Sequence, residues 1–311
     1  MKLISVIIAT YNRAPDLEKV IKGLLAQELP GSFDYEMIII DNGSTDNTEN
    51  TVKDLMEHAK GRLNYFRQST PGKSNALNMG IAHAKGEIIA FTDDDVTVEK
   101  NWLSSIAASF DLYRCDGIGG RVLPVYPENT PSWVSQNPVQ MAGVVVIYDQ
   151  GDTAYPANTS MERFIGSNWA FKSSVFKECG LFRTDLGPGT PMIVGEDEEF
   201  YYRLLKMNKD LYYCPQVIIR HPVDIGRLSW GRMANWHMAL GRYLAYKQIQ
   251  QGKDGFICYG EIPRYIIKII VMSSLKLLVQ FPDRLKSWNT NRELFCSIGM
   301  AQQYWKSKGH K

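Results

Sequence analysis

The sequence predicts an α/β protein with a mostly parallel sheet and helices on both faces. Two observations predict it. Short β-branched runs alternate with segments of helical spacing through the first hundred residues, which is the pattern of βαβ units. Three of the runs end abruptly in polar loops, TYNR (10–13), DNGST (41–45) and DDD (93–95). In open parallel sheets, ligands bind outside the carboxyl ends of the strands, so a site is expected where these loops meet.

Ile4–Thr10 is an almost unbroken apolar run, suited to a strand buried on both faces. Asp16–Gln27 carries Leu17, Val20, Ile21, Leu24 and Leu25 at helical spacing, with Pro15–Asp16 as the start signal. Tyr35–Ile40 is a second strand, cut off by DNGSTDNT (41–48), which is dense in turn formers. Thr48–Ala59 reads as a helix and Leu63–Phe66 as a short strand. Ser74–His83 is a helix entered from PGKSN, and Glu87–Phe91 a strand ending at TDDD. After residue 115, Gly, Pro and Trp increase, and 122–160 becomes irregular with strand-like pieces such as Val144–Ile147. Helices are expected over Phe171–Glu178 and Glu198–Met207, and a strand over Tyr212–Ile219 that ends in RHP. The region 226–311 reads as mostly helical. Three regions are therefore expected: 1–115, then 116–225 as a mixed lobe on the same sheet, then 226–311.

Composition narrows the class. The 311 residues are 44% hydrophobic and 22% charged, which excludes collagen-like, disordered and small disulfide-stapled chains. Five cysteines with no CxxC pair point to buried thiols in a reducing compartment. MKLISVIIAT runs into polar TYNR with no small-residue cleavage site, so no cleavable leader is read and a cytoplasmic location is expected. No stretch reaches about 18 apolar residues, the length of a membrane span. The net charge of +2 hides an asymmetry: residues 226–311 hold 14 Lys and Arg against 4 Asp and Glu, net +10, which leaves the first 225 residues at −8. A basic tail region on an acidic body suits an anionic surface or substrate near the C-terminus, and the acidic remainder argues against nucleic acid.

The strand ends carry the chemistry. Asp93, Asp94 and Asp95 repel one another, a cost that a hard divalent cation offsets while keeping positions open for phosphate oxygens. A solvated acidic turn is the plain alternative. Asp41 directly follows Ile38–Ile40 and either takes nucleotide hydroxyls or base N–H groups, or caps its own turn. Glu196-Asp197-Glu198-Glu199 lies after GPGTP (187–191) and opens a helix. These acids either complement the helix dipole or supply a general base for an attacking hydroxyl. His221, at another strand end, is either structural or a third metal ligand beside the aspartates.

SVIIATYNR (5–13), EMIIIDNGSTDNT (36–48), GKSNALNMGIAHAKGEIIAFTDDD (72–95), FIGSNWAFKSSVFKECGLF (164–182) and GEDEEFYYRL (195–204) occur in this order. On these motifs, over roughly 1–225, the sequence resembles family 2 glycosyltransferases of the GT-A fold, a Rossmann-like architecture. The resemblance implies a nucleotide-sugar-binding region (1–115), an acceptor-binding and catalytic region (116–225) and a helical C-terminal region (226–311). It implies that Thr10, Tyr11 and Arg13 line the base pocket and that Asp41 contacts base or ribose. Lys73 and Asn78 would lie beneath the nucleotide. Asp93, with Asp94, would face ribose and diphosphate, and Asp95 would ligate Mn²⁺ or Mg²⁺. Asp197 would be the catalytic base with Glu196 supporting the acceptor, and Asn168 and Trp169 would sit on the sugar or acceptor side. His221 would be a further metal ligand. A Gln-x-x-Arg-Trp motif found in some relatives is missing from this sequence, which argues for transfer of a single sugar.

The implied reaction is inverting transfer from a nucleoside-diphosphate sugar, UDP by default, to a hydroxyl of a glycan or lipid-linked acceptor, with bacterial surface polysaccharide as the setting. It needs a stabilised diphosphate leaving group and one base. GPGTP is either a gating loop or a passive turn. Two rival classes remain. A sugar-nucleotide nucleotidyltransferase needs a Gly-rich loop after its first strand, and ATYNRAP has no glycine. A non-catalytic sugar-nucleotide or glycan-binding module would keep DDD without needing Glu196 and Asp197. Nothing in the sequence sets an oligomeric state. Ile262–Phe281, apolar but for Arg264, Lys268 and Lys276, is either a core helix or one lying on an anionic membrane surface.

Overall fold

The computed structural model describes residues 2–29, 33–157, 159, 163–252, 255–280 and 283–308. The chain forms two compact units. The first comprises Met1–Val125, Val146–Pro191 and Glu196–Pro222; the second comprises Tyr126–Val145, Met192–Gly195 and Val223–Lys311.

The first unit begins with the predicted alternation: β1 (Lys2–Thr10), α1 (Ala14–Leu25), β2 (Phe33–Asp41), α2 (Thr48–Met56), β3 (Leu63–Arg67), α3 (Lys73–His83) and β4 (Ile88–Thr92). β1 pairs in parallel with both β2 and β4, and β2 with β3. Ile4, Val6, Ile7 and Ile8 of β1 are fully buried, which is why this strand is apolar at successive positions instead of alternate ones. In α1, Leu17, Val20, Ile21 and Leu24 turn inward at the spacing of one helical face.

The rest of the sheet is mixed. β5 (Thr97–Val98), α4 (Trp102–Tyr113) and β6 (Gly117–Val125) follow, then α5 (Ser132–Ser135) of the second unit, then β7 (Tyr155–Pro156), β8 (Asn168–Lys172), α6 (Ser173–Cys179), α7 (Glu196–Lys206) and β9 (Leu211–Pro222). The strand order is β3-β2-β1-β4-β8-β6-β9-β5, with β7 also on β9. β8 enters antiparallel between β4 and β6, while β6 and β9 are parallel. The sheet thus runs without a break past residue 115, and 126–145, 192–195 and 223–225 fall in the second unit. Two sequence expectations change. The helix expected over Phe171–Glu178 starts at Ser173, because NWAFK is a central strand buried on both faces and therefore carries no periodic signature. Val144–Ile147 forms no strand; it contributes only an isolated bridge between Ala142 and Val145.

The second unit is mainly helical: α8 (Trp230–Gln250), α9 (Arg264–Gln280) and α10 (Arg284–Lys308), with a hairpin of β10 (Cys258–Tyr259) and β11 (Ile262–Pro263). α8 and α10 approach to backbone contact. A Cβ on Gly241 would lie 1.8 Å from the Cys296 carbonyl oxygen, and one on Gly299 2.0 Å from that of Met238. Ala245, Ile266, Met300 and Tyr304 form one buried cluster, and the Tyr304 and Tyr265 hydroxyls both donate to Gln248 Oε1. The core-helix reading of Ile262–Phe281 does not hold for most of its length: only Ile266 and Ser273 of α9 are buried. Phe281 lies outside the described residues.

Candidate active site

The carboxyl ends of β1, β2 and β4 lie side by side, and their loops are tied together by side chains. Asn12, in the left-handed region at φ 53°, accepts from the backbone N–H groups of Thr45 and Asp46, while its own N–H donates to Ser44 Oγ. Asn42 donates to the Gln68 and Thr70 carbonyls and accepts from Gly72 N. Sequence reasoning passed over both asparagines. The cue was their place inside turn-forming runs, where a short amide satisfies neighbouring backbone groups.

Asp41 is fully buried at the end of β2. Its Oδ1 accepts from Ser44 N at 2.7 Å and its Oδ2 from the Tyr65 hydroxyl at 2.6 Å. Asp41 therefore caps its own turn, as one of the two sequence readings held. A carboxylate has about four acceptor sites, so it keeps capacity for a further donor. Burial and the Asp41 bond push the Tyr65 hydroxyl well above its ordinary pKa. Tyr11 projects from the β1 loop and is 59% exposed.

The three aspartates after β4 have three different environments. Asp94 turns inward, accepting from Thr10 Oγ1 at 2.7 Å; burial pushes its carboxyl up to about 6, against the opposing pull of Thr10 and Arg13. Asp93 gives one oxygen, Oδ1, to Lys73. Asp95 gives one oxygen, Oδ2, to Arg13 at the start of α1. Their other oxygens face His221, whose Nε2 lies 4.0 Å from Asp93 Oδ2 and 3.6 Å from Asp95 Oδ1. His221 sits near the end of β9, in register with Pro124 of β6. Its Nδ1 contacts the Pro222 carbonyl at 2.9 Å, which selects the tautomer that leaves a lone pair on Nε2.

Asp93 Oδ2, Asp95 Oδ1 and His221 Nε2 thus converge, and ligand atoms of the three residues lie within 4.8 Å of one another. Two carboxylate oxygens and one imidazole suit a divalent cation such as Mn²⁺ or Mg²⁺. The donor set fits a metal, because each carboxylate spends one oxygen on a basic side chain and keeps the other free.

Lys73 links this cluster to the second group of acids. Burial works against its ammonium, but the charges of Asp93 and Glu196 outweigh it, and its pKa stands above the ordinary value. Burial, opposed by Lys73 and His221, leaves the Asp93 carboxyl below its ordinary value. At the start of α7, burial and the neighbouring Asp197 push the Glu196 carboxyl up to about 7. Asp197 accepts from Glu198 N through Oδ1 at 2.7 Å, and a Cβ on Gly166 would lie 3.8 Å from its Oδ2. Glu198 and Glu199 are spent on structure, paired with Arg163 and Arg203.

The GPGTP loop is fastened to the entrance of α3. Pro188 O accepts from Lys73 N, and Leu186 O accepts from Ser74 Oγ. Gly187, at φ +96°, is a position where a Cβ would stand 2.9 Å from Glu196 Cδ, so only glycine admits the carboxylate there. Asn78 serves the same fastening: it donates to Phe182 O and accepts from Phe182 N. Its amide is thereby committed to the chain, so Asn78 holds in place the helix that also carries Lys73.

Asn168 and Trp169 are likewise interior, at 1% and 2% exposure. Asn168 Nδ2 donates to the Arg121 and Val217 carbonyls, and its Oδ1 accepts from Trp102 Nε1. Here the β6–β9 register slips between Gly120 and Arg121, and the amide bonds the carbonyls that the slip leaves unpaired. The sugar-side position expected for Asn168 gives way to this structural one. Trp169 packs against Phe171, Phe182 and Phe200, and its six-membered ring reaches to 3.7 Å of a Cβ placed on Gly166, beside Asp197.

Comparison with known proteins agrees with the sequence resemblance. Residues 5–180 match the model of "Glycosyl transferase family 2". The chain is 38% identical over 115 residues to an uncharacterised glycosyltransferase of Nostoc sp., covering 37% of this chain and 35% of that one. It is 26% identical over 140 residues to the poly(ribitol-phosphate) beta-N-acetylglucosaminyltransferase TarS of Staphylococcus aureus, covering 42% of this chain and 24% of TarS. The matched stretches thus span well under half of these relatives' length. In three dimensions the chain is similar to residues 1–349 of TarS (TM-score 0.58, 16% identity, 100% of this chain and 92% of that one). It is also similar to a mannosyltransferase from Pyrobaculum calidifontis solved with GDP-Man and Mn²⁺ (TM-score 0.63, 18% identity, 98% and 88%). At these identities the structures speak to the fold, a GT-A-type α/β architecture.

Proposed function

The chain belongs to glycosyl transferase family 2 and is a glycosyltransferase, and on that footing we propose that it moves a single sugar, with inversion, from a nucleoside-diphosphate sugar to a hydroxyl of a glycan or lipid-linked acceptor. UDP is the nucleotide we assign. Bacterial surface polysaccharide synthesis at the cytoplasmic side is the setting, and the polymer named for TarS supports that class of acceptor. One observation carries the reading: Lys73 joins a metal-fitting cluster, Asp93–Asp95–His221, to the Glu196–Asp197 pair.

A divalent cation held by Asp93 Oδ2, Asp95 Oδ1 and His221 Nε2 would neutralise charge that develops on the diphosphate as the sugar leaves. The remaining work falls to side chains. Thr10, Tyr11 and Arg13 border the nucleotide, with the exposed Tyr11 ring available to stack on the base. Asp41 offers its spare acceptor capacity to a base N–H or a ribose hydroxyl. Lys73, firmly charged, is placed to attract the diphosphate. Asp197, with Oδ2 free of the helix backbone, takes the proton from the acceptor hydroxyl. Glu196, with its raised pKa, carries a proton part of the time at neutral pH and donates it as a hydrogen bond to the acceptor. Glu196 and Asp197 are adjacent on one helix end, so the acceptor oxygen, deprotonated by Asp197, attacks the anomeric carbon from that side as the diphosphate leaves from the other. Glycoside hydrolases, retaining and inverting alike, instead place a pair of carboxylates flanking the scissile bond.

The test is a thermal-shift screen of UDP, GDP and their sugars with and without Mn²⁺. A ligand present at a hundred times its Kd adds about 2.7 kcal/mol of stability. The expected result is a rise in Tm with UDP or a UDP-sugar that needs Mn²⁺. The same rise without metal, or none with any nucleotide, rejects the reading.

A further inference from the structure

α9 presents an apolar face that no described residue covers. Val271, Met272, Leu275, Leu278 and Val279 are exposed, the last two at 78% and 81%. At 3.6 residues per turn these five fall within an arc of about 120°. Ile266 and Ser273, the two buried residues, lie opposite that arc. Five large aliphatic side chains in one stripe form a patch, which on a soluble surface marks a contact site.

The other residues along the stripe indicate its partner. Arg264 and Lys268 continue the same arc toward the start of the helix, Lys276 flanks it, and no Asp or Glu occurs between Arg264 and Gln280. Neither Lys268 nor Lys276 has a carboxylate partner among the described residues. The Arg264 guanidinium lies over the Tyr259 ring, 4.3 Å from its centroid, and Tyr259, Arg264, Lys268 and Met272 border an open groove of 360 Å³. The unit that holds α9 includes the whole basic C-terminal region, net +10 over 226–311.

We propose that this face of α9 docks on the surface of an anionic lipid bilayer. The aliphatic stripe enters at the level of the upper acyl chains, and Arg264, Lys268 and Lys276 meet lipid phosphates. Charge complementarity decides between this partner and a second copy of the chain. In a two-fold contact through α9, Arg264 and Lys268 of both copies would be buried in an apolar seam with no carboxylate on the face to pair them. No helix among the described residues is long and apolar enough to cross a membrane, so the contact is one of lying on the surface.

The experiment is co-sedimentation of the full chain with phosphatidylcholine vesicles, with and without phosphatidylglycerol. The expected result is binding only where phosphatidylglycerol is present, weakening as salt is raised. Each surface Lys contributes about 1 kcal/mol, so the double variant K268E/K276E is expected to lower partitioning by about tenfold or more. L278S/V279S is expected to lower it by a similar factor, about tenfold. All four side chains are exposed, so an unchanged Tm should accompany the loss. A full chain that stays in the supernatant with phosphatidylglycerol vesicles overturns the proposal. So does binding indifferent to both variants, or light scattering that shows a dimer dissolved by L278S/V279S. The assay reads lipid binding alone, so its outcome is independent of the transfer reaction proposed above.

Discussion

At the scale of single residues, the site depends on how each carboxylate divides its oxygens. Asp95 keeps Oδ1 free because Arg13 occupies Oδ2, and Asp93 does the same with Lys73. Removal of the third donor in His221→Ala should abolish the Mn²⁺-dependent part of the Tm rise with UDP-sugar, read by thermal shift, while leaving any metal-independent part. Asp197→Asn should lower kcat by about 10²–10⁴, the usual contribution of a general base, with donor affinity kept when measured by calorimetry. Wild-type turnover in that variant would remove Asp197 from the role. Glu196 also makes a stability statement. Its folded pKa is raised, so the stability linked to its proton is fully present below about 4.5 and is lost as pH rises through about 7. Glu196→Gln should therefore raise Tm above pH 7 relative to wild type and change it little at pH 4. Asp41, Asp93–Asp95, Asp197 and His221 stand out in the sequence as candidates because each lies at a strand or helix end. An amide looks the same in sequence whether it faces a ligand or the backbone, and those of Asn78 and Asn168 bond backbone groups here.

At the scale of elements, β1 through β4 matched their sequence reading to within a residue or two, because their apolar runs are long and their boundaries are marked by turn formers. β8 did not. Four successive buried residues carry no alternation, and SSVFKEC after the strand drew the helix forward. That strand has an internal dependence on Asn168, whose amide satisfies two carbonyls where β6 and β9 change register. Asn168→Ala leaves those carbonyls and Trp102 Nε1 buried without partners, and should cost roughly 2–4 kcal/mol by denaturant unfolding. Gly187→Ala should act differently. Its Cβ displaces the Glu196 carboxylate in a loop that is pinned to α3, so activity should fall more than stability does. The bond from Lys73 N to Pro188 O, with that from Ser74 Oγ to Leu186 O just before the loop, holds it against the start of α3.

At the scale of the whole molecule, the two units differ in how they are held. The first has one large core that runs through its sheet, and its buried polar groups are mostly paired. The second buries an ionisable group: His237 of α8 is 2% exposed, with Nδ1 on the Met233 carbonyl and Nε2 without a partner among the described residues. Burial pushes its pKa down to about 4. Unfolded His237 takes a proton near pH 6.5 and the folded one does not, so stability is full above 6.5 and is lost as pH falls toward 4. The loss should reach about 3 kcal/mol at the bottom of that window. His237→Phe should flatten this part of the Tm-against-pH curve; an unchanged curve would place the acid sensitivity elsewhere. The amino-acid sequence by itself determined the order of the parallel strands' runs and the acids at their ends, because periodicity and turn chemistry are local properties, and it carried the family through five motifs in order. Only the tertiary structure decided which oxygens of those acids are free, that His221 joins two of them, and that α9 carries an open apolar face. Those are matters of which distant side chains meet and which find no neighbour, and no local pattern encodes that.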